Sequence, residues 1–333
     1  MKKNTPTDNE RQMIMVEKTI RWGILGYARI ASMQVIPAIV EATNATPYAI
    51  ASRSAEKCKQ ALQSFPFVKA YDSYEALLQD PDVDAVYIPL PNSLHKEWTL
   101  KAARAGKHVL CEKPLALTEA DCREMIDVCK ASGVKLMEAF MYRYTTRIRK
   151  LCELIESGAI GEIRHIHSTY CFLLNRDSIK LKPELGGGSL WDVGCYPINI
   201  IGMLLKAAPV SYSAQKVMQG GVDISFCAAL KYPGDVLCTM NCGFDSAFNN
   251  LTEINGTKGT ILMRDTFMET ETPFLLVQGD TVTQIPVEPC KRYVLEIESF
   301  SDAIVNDREP FLSLEETVRN NSLMAELLKV AAE

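Results

Sequence analysis

Residues 109–114, Val109-Leu110-Cys111-Glu112-Lys113-Pro114, decide how the rest of the chain is interpreted. The apolar run predicts a short buried strand, which Pro114 ends because proline lacks a backbone donor and has a fixed φ. Glu112 and Lys113 are therefore expected at the carboxyl end of a strand. Ligands of open α/β sheets bind at that edge, so a lysine held there is well placed for chemistry. The alternative is an ordinary ion pair on a loop.

Strands and helices alternate along the first part of the chain. Strand-like apolar runs are separated by stretches with helical periodicity, which predicts a doubly wound parallel sheet. The predicted strands are 20–25, 47–51, 83–88 and 107–111, and the predicted helices run to about 43 and over 73–78, 93–105 and 118–131.

A dinucleotide-binding turn follows the first strand. The run Gly26-Tyr27-Ala28-Arg29-Ile30-Ala31 fits the pattern GxGxxG/A, with Ala28 in place of the second glycine. The first glycine makes the tight turn, a small second residue lets the backbone approach a pyrophosphate, and donors at the helix start face the anion. We therefore expect cofactor contacts from Gly26, Ala28, Arg29 and Ile30. The alternative is a small-residue turn without a ligand.

The second strand ends in Ser52-Arg53-Ser54, where NAD-binding proteins have Asp or Glu. A hydroxyl and a guanidinium suit a 2′-phosphate, so Ser52 and Arg53 favour NADP over NAD. Ser54 also fits a helix N-cap, and both interpretations can hold at once.

The turn at 89–92 ends another strand at the same edge. Pro91, Asn92 and nearby backbone groups are placed to meet the ribose or nicotinamide, although a helix cap is an equal alternative for Asn92. His95 lies just inside the next helix, where packing or a lid is favoured over catalysis. We include Pro91, Asn92, His95, Glu112 and Lys113 among the cofactor-binding candidates.

The pattern changes in the second half of the chain. A helix to about 155 is followed by predicted strands at 163–172, 223–232, 236–244, 251–255 and 260–263, with strand-like pieces to 287 and helices at 294–306 and 314–332. Runs of strands with short turns predict a largely antiparallel sheet. We expect a flexible leader over 1–18, a dinucleotide-binding domain over 19–139, and a substrate-binding and oligomerisation domain over 140–333, whose last helix can pack back on the first domain.

A second polar constellation lies at 186–199, before the apolar helix 200–205. Its glycine triplet permits close backbone approach, and Ser189 with Asp192 has the form of an N-terminal capping pair. If Asp192 is helical, Tyr196 lies one turn further along the same face, so that carboxylate and phenol point together. Pro197 weakens this geometry. The alternative is that Asp192 caps and Tyr196 packs.

Composition argues against several classes of protein. With 47% hydrophobic residues, the 333-residue chain can form a large core, and its length favours two domains. The net charge of -5 gives no basic field for a phosphate backbone, so we expect no nucleic-acid partner. Eleven cysteines without a CxxC pair indicate reduced thiols, and no apolar run reaches membrane-spanning length. We expect a soluble, cytoplasmic protein.

Two histidines suggest a metal site only superficially. His165 and His167 share one face of a predicted strand, with Cys171 at the same parity. No fourth ligand has a suitable spacing, so we expect no metal.

Taken together, these motifs resemble the glucose-fructose oxidoreductase and inositol dehydrogenase (Gfo/Idh/MocA) family over nearly the whole chain after the leader. The resemblance implies an N-terminal Rossmann domain, a C-terminal α/β domain with an open sheet, and hydride transfer between a nicotinamide and a sugar-like alcohol or ketone. The matching segments are 26–31, 91–92, 112–114, 138–144, 158–164 and 186–189, together with Asp192 and Tyr196.

Within this family the chain is similar to the branch of dimeric dihydrodiol dehydrogenase, NADP-dependent xylose dehydrogenase and sugar ketoreductases. That branch has Tyr where inositol dehydrogenases carry His, and Tyr196 occupies that place. Two features depart from the family pattern. Thr145-Thr146 stand where relatives commonly have His-Pro, which leaves the substrate open, and Ala28 replaces a usual glycine, which its small size makes tolerable.

The resemblance implies a lysine–tyrosine acid/base pair. Lys113 and Tyr196 are expected to converge on the substrate oxygen across the interdomain cleft, with Tyr196 exchanging the proton and Lys113 polarising the oxygen. A nearby ammonium is expected to lower the pKa of the phenol, and the two roles are exchangeable because a coupled pair titrates together. Asp192 would hold a substrate hydroxyl or orient the pair. The expected substrate-binding residues are Lys113, Tyr142, Arg143, Asp192 and Tyr196.

The leading hypothesis is an oxidoreductase that prefers NADP(H), with NAD(H) as an alternative, and acts on a sugar, ketosugar or polyol. Competing functions are a dehydrogenase of trans-dihydrodiols or other non-sugar carbonyls, and a silent nucleotide or sugar sensor, which would not need both Lys113 and Tyr196. We also expect a homodimer or homotetramer built on the C-terminal sheet, because a face carrying Phe226, Cys238 and Met240 would be costly to leave in water.

Overall fold

The computed structural model describes residues 19–331, which form two β-sheets and the helices packed on them. The expected leader over 1–18 lies outside the described residues, as does Ala332 at the end of the last predicted helix. Within 19–331, none of the helices has the length and apolar character needed to cross a membrane.

The described residues form fourteen β-strands and nine α-helices, numbered in chain order. The strands are β1 Ile20–Leu25, β2 Ala45–Ala51, β3 Lys69–Tyr71, β4 Ala85–Ile88, β5 His108–Glu112, β6 Leu136–Ala139, β7 Ile163–Cys171, β8 Ser211–Gln219, β9 Val222–Tyr232, β10 Val236–Gly243, β11 Asn249–Gly256, β12 Thr260–Arg264, β13 Phe274–Gln278 and β14 Thr281–Ile285. The α-helices are α1 Ile36–Glu41, α2 Ala55–Ser64, α3 Tyr74–Leu78, α4 His95–Arg104, α5 Glu119–Ala131, α6 Thr146–Glu156, α7 Cys195–Leu205, α8 Arg292–Val305 and α9 Leu314–Val330.

The first sheet is parallel throughout, in the order β3-β2-β1-β4-β5-β6. Its central strands are apolar and buried on both faces, as parallel strands covered by helices must be. The order of connection reverses between β1 and β4, and ligands of open α/β sheets bind outside the strand ends at such a point. The predicted doubly wound Rossmann sheet is confirmed.

The second sheet has the order β14-β13-β12-β11-β7-β10-β9-β8. Strands β7 and β10 pair in parallel, and the other neighbouring pairs are antiparallel. Its inner face packs against α7 and α9, whereas its outer face is open. The predicted C-terminal α/β arrangement with a large, mostly antiparallel sheet is confirmed.

One expectation about this sheet is wrong. Phe226, Cys238 and Met240 are each at most 2% exposed, because they point to the inner face, which α7 and the preceding helical turn cover. The strand alternation instead turns Cys227 and Leu237 outwards. The apolar side chains that were expected to form an oligomer contact belong to the core of the chain itself.

Three edge strands, β3, β6 and β8, escaped prediction. The strand β3 is only three residues long. The strand β8 is mostly exposed, with Ala214 as its single buried residue, so it lacks the apolar alternation that predicts a half-buried strand. Strands β3 and β8 carry a weak pattern because each lies at a sheet edge and much of each faces water, whereas β6 is buried but only four residues long.

The helix α9 joins the second half of the chain to the first. Asn321 Nδ2 donates to Ala116 O over 2.5 Å, and Ser322 Oγ donates to a carboxylate oxygen of Glu119 over 2.6 Å. Beneath this contact, Glu138 at the end of β6 accepts from the backbone N–H of Leu115 over 2.9 Å. The segment after Pro114 is therefore held between β6 and α9.

We expect Glu138→Gln to stabilise the protein at high pH. Burial raises the pKa of Glu138 from 4.5 to about 7. The folded state therefore binds this proton more tightly than the unfolded chain, so the carboxyl destabilises folding increasingly as pH rises from about 4.5 to about 7, and fully above that. Urea unfolding at pH 8 should show a gain of roughly 1–3 kcal/mol for Glu138→Gln, falling towards zero near pH 5.

The control is Glu119→Gln at the same helix contact. The Ser322 hydroxyl and Arg123 lower the pKa of Glu119, so this variant should lose a little stability at neutral pH and none in acid. A pH-independent gain for Glu138→Gln would contradict the linkage.

Candidate active site

A cavity of about 1040 Å³ lies at the carboxyl edge of the first sheet, where the second half of the chain covers it. The structure brings most of the sequence-predicted site residues together in its wall. They are Gly26, Ala28, Arg29, Ile30, Ser52, Arg53, Pro91, Asn92, Glu112, Lys113, Asp192 and Tyr196.

The turn after β1 is shaped for close approach of a ligand. Gly26 has a φ of +104°, and a Cβ at this position would lie 3.1 Å from a methyl group of Leu90. Ser32 N donates to Ala28 O, so a helical run starts in this turn, and the π-helical segment that follows has no acidic residue in its first turn. Its N-terminal donors therefore meet no competing carboxylate. The residues fit the pyrophosphate of a dinucleotide.

The end of β2 forms another part of the cavity wall, together with the turn after β1. Ser52 is 5% exposed and its hydroxyl accepts from Ser54 N over 3.2 Å, whereas Arg53 is exposed on the cavity side. Ser54 caps α2 by accepting from Lys57 N. Ser54 therefore caps the helix while the neighbouring Arg53 lines the cavity.

A short segment over 178–187, here called the strap, closes the substrate side of the cavity. Asn92 Nδ2 donates to Gly186 O over 2.9 Å, so the strap is tied to the turn after β4. Asn92 makes no side-chain cap on the helical turn Asn92–Leu94. The side chain thus bridges the two halves of the site rather than capping a helix.

Lys113 and Asp192 meet across the cleft. Lys113 Nζ donates to the backbone carbonyl of Asp192 over 2.6 Å and to Oδ1 of the same residue over 3.4 Å. Lys180 Nζ, from the strap, donates to the other carboxylate oxygen, Oδ2, over 2.7 Å. One carboxylate therefore lies between two ammonium groups.

The charges of Asp192 and Lys113 shift the pKa values of these two residues in opposite directions. Burial alone would raise the pKa of Asp192, but the ammonium groups of Lys113 and Lys180 outweigh it and lower the pKa below its usual value. Burial alone would lower the pKa of Lys113, yet Tyr196, Asp192 and their neighbours raise it well above the ordinary value. Both groups are charged at neutral pH.

Tyr196 is enclosed by aromatic side chains. Its ring centroid lies 5.3–5.6 Å from those of Phe140, Tyr170 and Phe267, and Lys113 Nζ lies 5.0 Å from it. The hydroxyl donates to the sulfur of Met141 over 3.6 Å, a weak acceptor that a substrate oxygen can displace.

The expected lowering of the phenol pKa is wrong for this state of the protein. Burial raises the pKa of Tyr196 well above 10, and the Lys113 ammonium only opposes this change. The cause is the desolvation of the phenolate by the surrounding rings. Tyr196 is therefore a neutral phenol at physiological pH.

Glu112 and His95 stand on either side of the lysine turn, but only Glu112 reaches the cavity. Glu112 accepts from Tyr87 Oη over 2.5 Å, and burial raises its pKa. His95 is fully buried outside the cavity wall, with its ring nitrogens 2.8 Å from Pro114 O and Leu90 O. His95 thus holds two backbone carbonyls and is separated from the cavity, and its predicted cofactor contact stays a prediction.

The two residues expected to bind substrate through the 138–144 motif also lie behind the wall. Tyr142 is fully buried and donates to Asn199 Oδ1 over 2.5 Å, while Arg143 pairs with Glu316 of α9. Their polar atoms join elements of the fold in this structure, and their predicted contact with substrate stays a prediction.

The helical turn that carries Asp192 starts from a different cap than the sequence suggested. Ser189 and Asp192 make no capping pair. Instead Asp223 of β9, a residue that sequence reasoning missed, accepts from Ser189 Oγ and Leu190 N, both over 2.7 Å. No local sequence pattern marks this cap, because the accepting carboxylate comes from a distant strand and not from the segment that it caps.

The histidine pair on β7 lies away from the cavity. His167 Nδ1 is 2.9 Å from Thr239 Oγ1, and both belong to the outer face of the second sheet. Among residues 19–331, no group of three or more His, Cys, Asp or Glu side chains is arranged to hold a metal ion.

Lys180 is the other residue of the cavity wall that the sequence did not reveal. It lies in an irregular stretch without periodicity, and only the glycine triplet hints at its surroundings. A Cβ on Gly187 would lie 2.4 Å from the carbonyl oxygen of Lys180, so that glycine is needed where the strap passes.

Comparisons with known proteins agree with this architecture. Residues 20–140 match the family model GFO_IDH_MocA, described as an oxidoreductase family with an NAD-binding Rossmann fold, and residues 148–262 match the GFO/IDH/MocA C-terminal domain. A D-xylose 1-dehydrogenase (NADP(+)) from Haloferax volcanii is 35% identical over 304 residues, which cover 89% of this chain and 93% of that protein.

Two further relatives are similar over most of their length. A trans-1,2-dihydrobenzene-1,2-diol dehydrogenase from Xenopus laevis is 33% identical, over 80% of this chain and 81% of its own. The crystal structure of a 3-ketoreductase from Actinomadura kijaniata in complex with NADP and TDP-benzene superposes with a TM-score of 0.89 at 30% identity, covering 94% of this chain and 98% of that one.

We expect Gly188→Ala to disrupt the Asp192 turn. Gly188 has a φ of +123°, and a Cβ there would lie 2.3 Å from Oδ1 of Asp223. Backbone strain and the displaced cap should together cost roughly 3 kcal/mol or more in the free energy of unfolding. Gly220→Ala is the matched control, because Gly220 has a φ of +60° but nothing within 4 Å of its added Cβ. It should cost about 1 kcal/mol. Equal losses in urea unfolding would show that the Asp223 contact is unimportant.

Proposed function

Because the chain belongs to the GFO/IDH/MocA family of oxidoreductases, we propose that it transfers a hydride between NADP(H) and a sugar, ketosugar or related polyol. The observation that carries this proposal is the meeting of Lys113, Asp192 and Tyr196 in the wall of one cavity, beside a turn fit for a dinucleotide. We assign residues 19–139 to cofactor binding and residues 140–331 to substrate binding.

The preference for NADP rests on Arg53. Its guanidinium lies on the cavity side at the end of β2, where an acidic residue would select NAD. The relatives named as an NADP(+) dehydrogenase and as an NADP-bound ketoreductase support the same choice. When bound, the nicotinamide supplies or accepts the hydride.

The chain's own residues handle the proton and the charge. During reduction, the Tyr196 hydroxyl gives its proton to the substrate oxygen, and during oxidation the phenolate takes it back. The Lys113 ammonium donates a hydrogen bond to the same oxygen and stabilises the negative charge that develops there. Asp192 orients Lys113 through its backbone carbonyl and carboxylate. The raised pKa of Tyr196 favours the protonated form, which suits reduction at neutral pH.

A second candidate substrate class is a trans-dihydrodiol or another non-sugar carbonyl. The relative named as a dihydrodiol dehydrogenase supports it, as do the apolar side chains of Met141, Ile179 and Leu185 in the cavity wall. A silent sensor is disfavoured, because a protein that only binds a nucleotide has no need to hold both Lys113 and Tyr196 at the cavity.

We further propose that the protein forms a homodimer or homotetramer through the outer face of the second sheet. Leu237 at 48% and Val217 at 55% exposure lie on this face, with Cys227 also exposed. An open sheet face with apolar side chains favours a symmetric partner. The cytoplasm is the proposed location, since all eleven cysteines are free thiols.

We expect the double change Ser52→Asp with Arg53→Ile to move cofactor preference towards NAD(H). The new carboxylate repels the 2′-phosphate and accepts from a free ribose hydroxyl, while the phosphate loses its guanidinium. Fluorescence titration should show NADPH affinity falling by about tenfold or more. Lys59→Ile on the exposed part of α2 serves as the control. Tighter binding of NADH than NADPH by the unmutated protein would refute the preference.

We expect Lys113→Met and Tyr196→Phe each to lower kcat by roughly a hundredfold or more, because general acid–base catalysis contributes about that much. Cofactor affinity should change much less than kcat, since the proposed role of both side chains in the chemical step is at the substrate oxygen. Stopped-flow absorbance of NADPH on the best substrate of a sugar and dihydrodiol panel gives the rates. Near-normal turnover of Tyr196→Phe would remove the tyrosine from the proposed mechanism.

We expect the unmutated protein to elute with the mass of a dimer or tetramer, and Leu237→Lys to shift it towards monomer. A charge at this position on the outer sheet face would be buried without a partner in the proposed assembly. Val40→Lys is the control, because Val40 on α1 has nearly the same exposure, 47%, far from this sheet. A monomer mass for the unmutated protein in light scattering at micromolar concentration would contradict the proposal.

A further inference from the structure

Hydrogen bonds fix the backbone of Lys180, whereas its side-chain ammonium uses only part of its capacity to donate hydrogen bonds. Its N–H donates to Ser178 Oγ over 3.2 Å, and its carbonyl accepts from Gly188 N over 2.9 Å. The side chain lines the cavity at 40% exposure and its ammonium lies 5.4 Å from the ring centroid of Phe172. The residue is therefore presented to the cavity by a fixed loop.

The Lys180 ammonium has N–H donors beyond the one that Asp192 accepts from. A lysine carries three N–H donors, and one of them is directed to Asp192 Oδ2 over 2.7 Å. Asp192 in turn has lone pairs that its two lysine contacts do not exhaust. A donor and an acceptor thus stand side by side at the substrate end of the cavity. A hydroxyl group is the ligand that accepts from one and donates to the other.

We propose that Lys180 and Asp192 together recognise a hydroxyl group of the substrate, and that Lys180 is the residue that selects polyhydroxylated sugars. This inference rests on the proposed function and names the substrate class. Lys113 and Lys180 hold different oxygens of one carboxylate, so a substrate whose reacting oxygen meets Lys113 presents a neighbouring hydroxyl to Lys180.

The charge balance favours a neutral hydroxyl over an anionic group. A substrate carboxylate or phosphate placed at Lys180 would also lie against the Asp192 carboxylate, which is buried and ionised. Repulsion between like charges in a poorly solvated site is costly. A hydroxyl avoids this cost and satisfies both side chains.

The test compares Lys180→Met with the unmutated protein on sugars that differ by one hydroxyl. Methionine keeps an unbranched side chain but has no N–H donors. The probes are D-xylose and D-glucose, their 2- and 3-deoxy counterparts, and D-glucuronate. For the best-bound sugar, KM should rise about ten- to hundredfold, because a hydrogen bond from a charged group is lost, while kcat changes less. For the deoxy sugar that lacks the recognised hydroxyl, the two proteins should have nearly equal KM values.

Two variants serve as controls. Lys180→Arg retains a charged donor and should restore part of the affinity. Lys182→Met removes an exposed lysine two residues further along the strap, outside the cavity wall, and should leave KM and kcat unchanged. Equal losses for the hydroxylated and deoxy sugars would overturn the proposal, as would tighter binding of D-glucuronate that depends on Lys180.

Calorimetric titration of each probe into the NADP(+)-loaded protein separates this inference from the proposed function. Sugar binding that weakens in Lys180→Met without any turnover would refute the enzyme and support the hydroxyl site. Turnover that is insensitive to Lys180 would support the enzyme and refute the hydroxyl site. Failure of every sugar in the panel to bind would overturn the inference.

Discussion

The sharing of the Asp192 carboxylate between two lysines is the interaction on which the site depends. Lys113 comes from the end of β5 and Lys180 from the strap, so the ion pairs join the two halves of the chain. A buried carboxylate without such partners would be costly, and so would Lys113, whose side chain is 12% exposed. The observed arrangement leaves all three charges paired and places Lys113 beside Tyr196.

Several residues that touch no ligand hold this arrangement in place. Asp223 caps the turn of Asp192 from a distant strand, and Gly188 leaves room for that carboxylate. His95 lies between the carbonyls of Leu90 and Pro114 and so links the ends of β4 and β5. Because these contacts are buried and directional, they fix the site more firmly than the exposed loops around it would.

The strand–helix alternation and the glycine turn were enough to predict the parallel arrangement of the first sheet, apart from its edge strands, because apolar period and turn chemistry are local properties. Lys113 was predictable from a motif at a strand end, and Asp192 and Tyr196 from a glycine-rich motif before an apolar helix together with the family resemblance. Lys180 and Asp223 were not, since their roles arise from contacts between segments far apart in the chain. The orientation of Phe226 was misjudged for the same reason: alternation shows that a strand has two faces, but only packing shows which one the helices cover.

The protonation state of Tyr196 shows how burial decides between two plausible electrostatic outcomes. A lysine beside a phenol lowers its pKa in water, and this effect is present here, with Lys113 Nζ 5.0 Å from the ring centroid. Aromatic neighbours, among them Phe140, Tyr170 and Phe267, keep water away from the phenolate, and the resulting rise in pKa is larger. A substrate oxygen that accepts from both Lys113 and Tyr196 gains from a donor that stays protonated, because the proton is then present when negative charge develops. In the mechanism proposed above, the aromatic enclosure therefore keeps the Tyr196 hydroxyl protonated at neutral pH, so that the proton is available to the substrate oxygen.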